Sequence, residues 1–400
     1  MKKFVALGLL SFSALCAHAQ YYMRIWQNEE STRLPLSELV YQNGGTSFTA
    51  NGTSYNTAEV DSITMVHTVM VNFDGNTATV DLGAAKGVTY TVDGANVVIT
   101  NENATEETEY ILSGTSSDGS LTYNGVYKCK FHLNNLNLTS KKGSPLNIQC
   151  GKRIDLVLGE GTENTLIDGA TGDQKACLYC KGHMEIGGAG TLNVTGNARH
   201  AIATKEYLII KKSAGLIRIT KAASDAIHAG QYFQMNGGNI EISGMAGDGI
   251  QIESTLDTTD EFNGQAFIKG GSINMKVAAD DTKGIKCEKN LEISGGDIKI
   301  EASGAGSKGI SCDYDMFINE NDAPTNIQVT ATGGQFTDAA GEKVKCMGIK
   351  VEHNLTISAG TVNVKATGTK AKSIKVGYIY YAKGGKVTAS PEIDYDTIKH

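Results

Sequence analysis

A short phrase that the chain keeps repeating limits what it can fold into. The copies are His200-Ala201-Ile202, Asp225-Ala226-Ile227, Asp248-Gly249-Ile250, Lys283-Gly284-Ile285, Lys308-Gly309-Ile310, Met347-Gly348-Ile349 and Lys372-Ser373-Ile374. Their isoleucines are separated by 25, 23, 35, 25, 39 and 25 residues. Between them runs a second phrase, alternating apolar residues on either side of a glycine pair, as in Met235-Asn236-Gly237-Gly238-Asn239-Ile240 and Ile293-Ser294-Gly295-Gly296-Asp297-Ile298. Self-similarity at such a period marks a stacked-repeat architecture. Period-2 alternation broken by Gly, Asn and Ser makes each period three short strands, not a helix. One such rung cannot bury its apolar residues unless another stacks on it. The expected fold is therefore all-β: a right-handed parallel β-helix of three-strand rungs, preceded by a small N-terminal domain. The two long steps are read as rungs carrying polar insertions at residues 254–265 and 319–345.

The chain opens with Lys2 and Lys3, an apolar run over residues 4–15, and Ala17-His18-Ala19. That is the pattern of a secretory leader cleaved after Ala19, so residues 1–19 are expected to export the protein to the periplasm, the cell surface or the medium. Neither this run nor any other is long and apolar enough to be read as a membrane span. Without the leader's two lysines, 34 of the 36 basic residues remain against 43 acidic ones, a net charge of −9. A mildly acidic chain is a poor partner for nucleic acid. The 47 glycines and four prolines suit many short strands and tight turns.

Residues 20–68 read as the separate N-terminal piece, with the single tryptophan, Trp26, a short helix over 36–40 and a strand over 62–66. Residues 69–125 are expected to cap the open first rung. The β-helix proper is placed at 126–380, and residues 381–400 at the other cap. Cys287 and Cys312 each lie two residues past a rung isoleucine, so both should point inward in one column, ~4.8 Å apart. Two readings stay open there, a disulfide or small buried thiols. Cys177-Leu178-Tyr179-Cys180 has no second pair at zinc spacing and is read as chance.

Aligning the rungs on their isoleucines gives outward columns that can be read as chemistry. Two places before the isoleucine, Asp225 and Asp248 are neighbours. Two carboxylates ~5 Å apart repel by about 1 kcal/mol even in water. With Asp280, Asp281 and Glu206 from nearby rungs they form the expected calcium site; the alternatives are that Lys283 and His200 flank the pair and neutralise it, or that these are simply turn aspartates. Three places after the isoleucine stand Glu253, Glu288, Asp313 and Glu352, beside a row one place after it that includes His228, Gln251, Lys286, Ser311 and Lys350. This face is either a solvated surface whose charges pair across rungs or a polar groove for sugar hydroxyls and uronate carboxylates. Tyr207 and Tyr232, on adjacent rungs, offer rings either to a sugar or to each other. The carbohydrate candidates are thus Glu253, Lys286, Glu288, Asp313, Lys350, Glu352, Tyr207 and Tyr232.

Residues 110–114, Asp118-Gly119-Ser120-Leu121, Gly143-Ser144-Pro145-Leu146-Asn147-Ile148, Gly161-Thr162-Glu163-Asn164-Thr165-Leu166 and Gly190-Thr191-Leu192-Asn193-Val194-Thr195-Gly196 come next, followed by the Asp-Ala-Ile and Asp-Gly-Ile rungs. Over residues 69–380 this order resembles a family of secreted carbohydrate-binding parallel β-helix proteins of polysaccharide-degrading bacteria, pectate-lyase-like in shape. The resemblance implies binding of plant cell-wall polysaccharide, cellulose or a pectin-like polyuronide, with calcium at the Asp-Gly-Ile turns, here Asp225 and Asp248. Lys283, Lys308, Met347 and Lys372 stand where further acids are expected. No catalytic residue is assigned, and the reading is non-catalytic binding. A calcium-dependent polysaccharide lyase is the first alternative, with Arg199, Lys205, Lys211 and Arg218 as the cations near the turns. A structural surface adhesin is the second. The chain is read as a monomer.

Overall fold

The computed structural model describes residues 22–27, 30–35, 39–256, 259–395 and 397–399. The leader expected at 1–19 lies outside them, as do residues 36–38 of the expected helix; Val40, its last residue, opens the strand Val40–Gln42 instead.

The repeated isoleucines lie one above the next. In the parallel register, Ile202 pairs with Ile227, Ile227 with Ile250, Ile250 with Ile285, Ile285 with Ile310, Ile310 with Ile349 and Ile349 with Ile374. The same column continues towards the N-terminus through Leu178, Leu146, Leu121 and Val97. These strands form one 12-stranded sheet, called here the isoleucine sheet. All its column residues are buried, because a period of 2 sends every second side chain to the same side. The other two strands of each rung form a second, larger sheet that bends at the glycine pairs. The second glycine of the pair is left-handed, as at Gly271 (φ 85°) and Gly296 (φ 104°), a conformation side chains other than glycine's avoid. Two such strands run on through the bend as single elements, Ala266–Val277 and Leu291–Ala302. The chain is a parallel β-helix.

Parallel pairing begins earlier than expected. Ser62–Asp74 pairs in parallel with Thr108–Ser116, and Ala95–Asn101 with Gly119–Gly125. Residues 69–125 therefore already contain rungs. Capping falls to two antiparallel strands, Thr77–Asp81 and Val88–Asp93, which pair with Ser62–Asp74 and Ala95–Asn101. The first half of Ser62–Asp74 also pairs with Tyr22–Gln27, so the expected boundary at 68/69 falls inside a strand. The leading piece is a pair of small antiparallel sheets around Met23, Ile25, Phe48, Ala50 and Tyr55. At the far end, Ile379–Ala382 and Lys386–Ser390 continue the parallel ladders into the expected tail.

The insertion expected at 319–345 is smaller than that. Thr325–Ala331 is the rung's own strand, paired with Leu291–Ala302 and Thr361–Ala366. The extra chain beyond it forms a short hairpin, Phe336–Thr337 against Lys343–Val344.

Cys287 and Cys312 are register partners, yet they are free thiols. Cys287 Sγ donates to the Gly264 and Asn290 carbonyls (both 3.2 Å), and Cys312 Sγ to those of Lys289 (3.0 Å) and Asp315 (3.3 Å). Burial pushes the Cys312 thiol up to about 12, which removes the reactive thiolate at neutral pH. A thiol-alkylating reagent is therefore expected to spare both in the folded protein and label both in urea. Mass spectrometry of the two digests checks this; native labelling would contradict it.

Candidate functional site

The outer face of the isoleucine sheet lies between the turns that flank it and is partly covered: Tyr179, Ala203, Gln251 and Ser311 are buried. His200 opens the strand His200–Thr204, Asp225 ends the turn before Ile227–Ala229, and His228 points outward from that strand. Parallel register puts the Asp225 carboxylate between the two imidazoles. Asp225 Oδ2 lies 3.1 Å from His200 Nδ1 and 3.0 Å from His228 Nδ1. Its Oδ1 accepts the Asp248 backbone N–H at 2.8 Å. Burial would raise the Asp225 carboxyl, but His200, His228 and that N–H together hold it well below the usual carboxylate range.

The other acids expected around calcium are engaged elsewhere. Asp248 Oδ1 accepts the Lys283 N–H at 2.7 Å and Asp280 Oδ1 the Ala305 N–H at 2.7 Å. The turn aspartates thus cap the backbone of the following rung. Asp281 pairs with Lys308 (3.0 Å) and Lys283 (3.6 Å), and Glu206 with His183 (2.7 Å). Among the described residues, the one group of three His, Cys, Asp or Glu side chains with ligand atoms within 4.8 Å of one another is His200, Asp225 and His228. Calcium requires six to eight oxygens. Two imidazole nitrogens and one carboxylate, with the neighbouring acids tied to backbone and lysines, do not fit it.

On the rows beyond, Gln251, Lys286, Ser311, Lys350 and Lys375 stand in register. Glu352 is ion-paired with Lys350. Glu288 Oε2 accepts both the N–H and the hydroxyl of Ser254 at 2.8 Å, holding the start of the 254–265 loop. The Asp313 carboxyl is raised, first by burial and then by Glu352 and Glu288, against the pull of Lys286 and Lys350. Tyr207 and Tyr232 stack on each other with ring centroids 4.8 Å apart and planes 26° apart, and His183 stacks on Tyr207 at 4.3 Å. Their faces are turned to their neighbours, so they offer a sugar chiefly their edges. Two of the expected lyase cations are also spoken for. Lys211 Nζ lies 2.5 Å from Asp155 and 2.9 Å from Glu185, and Arg218 Nε 2.8 Å from Glu241.

The concave part of this face lies further towards the N-terminus than the sequence suggested. A groove of about 500 Å³ runs over Thr122, Asn147 and Tyr179, which are successive register partners on the isoleucine sheet. The turn residues Ser144, Asp173, Gln174 and Lys175 wall it. Its charged side chains are Lys142, Lys175, Lys181 and Lys205 against Asp173 alone. Lys175 Nζ stands 5.5 Å from the Tyr179 ring centroid. Of these, only Lys205 was singled out from sequence. Extending the columns upward with Leu178 as the rung residue would have put Lys181 directly before Lys205.

Similarity to known proteins fits this architecture. Residues 93–392 match the family described as carbohydrate-binding domain-containing protein. A protein of that description from Acetivibrio thermocellus is 29% identical over 129 residues, 30% of this chain and 45% of the relative, so the chain spans less than half of the relative's length. Among solved structures, the polysaccharide lyase-like protein from C. thermocellum, in its gadolinium derivative, superimposes with a TM-score of 0.53 and 25% identity, covering 64% of this chain and 98% of that one. Because the family match runs through nearly every rung of the solenoid, the chain belongs to the carbohydrate-binding domain-containing proteins.

Proposed function

We propose that this protein is exported and binds a plant cell-wall polyuronide along the outer face of the isoleucine sheet without cleaving it. The observation that carries the reading is the groove over Thr122, Asn147 and Tyr179. It combines hydroxyl and amide groups for sugar hydroxyls with four lysines against one aspartate. That charge balance favours a carboxylate-bearing polymer over neutral cellulose. Further along the same face Glu253, Glu288, Asp313 and Glu352 stand beside Lys286, Lys350 and Lys375, so that stretch lacks the groove's excess of cations. Two of the cations a lyase could use as its base, Lys211 and Arg218, are held by carboxylates.

Affinity electrophoresis in gels containing polygalacturonate, with cellulose pull-down alongside, tests this. Retardation on polygalacturonate is expected to exceed cellulose retention and to fade with salt, as exposed charge pairs are screened within ~8 Å at physiological ionic strength. The double variant Lys181→Ala/Lys205→Ala should bind about tenfold more weakly, the equivalent of ~1.4 kcal/mol. Rising ultraviolet absorbance from an unsaturated product would make the protein a lyase. Retention on no glycan at all would leave an adhesin.

A further inference from the structure

We propose that His200, Asp225 and His228 form a site for a divalent transition ion of the zinc class. The ligand set is two imidazole nitrogens and one carboxylate oxygen, which suits zinc, copper or nickel and not a hard, oxygen-seeking cation. Ligands held ~2.0–2.1 Å from a tetrahedral ion stand ~3.3 Å from one another. Asp225 Oδ2 is already 3.0 Å and 3.1 Å from the two Nδ1 atoms. The imidazole rings lie side by side, with centroids 4.5 Å apart and planes 32° apart.

Four further features point to a ligand here. His200 is 6% exposed, and its Nδ1, although close to Asp225, makes no hydrogen bond. A buried ring nitrogen at ion-pair distance from a carboxylate oxygen, yet out of hydrogen-bond alignment with it, stands as a metal ligand would. The far nitrogen of His228, Nε2, stands 3.5 Å from Glu253 Oε2. Histidines that bind metal commonly give their other N–H to a carboxylate; Glu253 is placed to take it, with His228 Nδ1 turned to Asp225. Asp225 Oδ1 is held by the Asp248 N–H, so the carboxylate presents its other oxygen alone. On the next rung, Gln251, the register partner of His228, is 4% exposed, and its amide nitrogen has no partner. That is a donor for a water or anion completing the coordination. Three protein ligands leave the fourth position open.

Titrating the untagged, chelator-treated full chain with Zn²⁺ by calorimetry tests the site, with Co²⁺ absorption reporting coordination geometry. One equivalent is expected, with the intense visible bands of four-coordinate cobalt, and millimolar Ca²⁺ should not displace it. His200→Ala and His228→Ala should each weaken Zn²⁺ binding by at least a hundredfold. Should either fail to fold, by circular dichroism, Glu253→Gln decides, because that side chain is half exposed and its loss should cost ~10–100-fold. Displacement by calcium, Zn²⁺ binding unchanged in the foldable variants, or no Zn²⁺ binding at micromolar concentration would each overturn the proposal.

Discussion

Replacing Gly309 with alanine is expected to lower stability by about 3 kcal/mol, the upper end of what overpacking usually costs. The reason lies in the column just before the isoleucines, occupied by Ala201, Ala226, Gly249, Gly284, Gly309, Gly348 and Ser373. These residues sit where the isoleucine sheet turns towards the opposite wall, and that wall's side chains fill the space. A Cβ at Gly309 would lie 2.3 Å from Val329 Cγ1 and 2.6 Å from the Gly348 carbonyl oxygen. At Gly348 it would meet Val364 Cγ1 at 2.2 Å, and at Gly249 Met275 Sδ at 2.3 Å. Gly309 has no left-handed backbone, so its cost is packing and not conformational strain. Urea melts of Gly309→Ala, Val329→Ala and the double variant separate the two contacts. Val329→Ala alone should cost ~2 kcal/mol through its cavity. The double variant should be less destabilised than the sum by at least ~1 kcal/mol, since trimming Val329 makes room for the new methyl group. The remaining cost belongs to the Gly348 carbonyl. Additive effects would mean that the two residues do not share that space.

The same column shows how far the sequence could be read. Period-2 alternation and a recurring isoleucine identify strands and set their register, because a slip of one residue would turn every buried side chain outward. That is why Val97, Leu121 and Leu146, outside the clearest copies, still fall into the Ile202 column. The strand Thr325–Ala331 alternates just as well, but its outward Asn326, Gln328 and Thr330 made it look like part of a polar loop. Polar columns were harder to read. Backbone register gives a position in a column, and where a carboxylate points also depends on the N–H groups within its reach. Asp225 and Asp248 are indeed neighbours, yet each turns one carboxylate oxygen to the backbone N–H of the next rung. His228 lies one place after its isoleucine and His200 two places before its own, so no single column joins them; the geometry of the turn does. The groove has the same origin. Its floor follows the isoleucine columns, while its wall at Asp173 to Lys175 is an irregular turn that carries no period.

At Glu109 nothing in the sequence announces the contact, and it is expected to control the protein's acid stability. Glu109 leaves the first rungs to meet Arg24 and Arg33 of the leading sheet, the latter at 2.7 Å, and His132 of the next rung at 2.9 Å. Its side chain is 2% exposed. Burial pushes the carboxyl up, but His132 and Arg24 outweigh it and hold the group at about 2, against 4.5 for an ordinary glutamate. The pKa is lower in the folded chain than in the unfolded one. The contribution is therefore complete above about pH 4.5 and is lost as the pH falls towards 2. A gap of that size is worth roughly 3 kcal/mol. Glu109→Gln keeps the shape but leaves two guanidinium groups beside a neutral amide, so it should cost ~3–5 kcal/mol at pH 7. The difference between wild type and variant should shrink towards zero near pH 2, as wild-type Glu109 becomes protonated. Because both arginines belong to the leading sheet, that sheet should come loose first. Amide exchange in Tyr22–Gln27 should then rise in the variant at pH 7 while the isoleucine strands stay protected. A stability difference that is the same at pH 7 and pH 3 would show that the ion cluster does not hold the leading sheet to the solenoid.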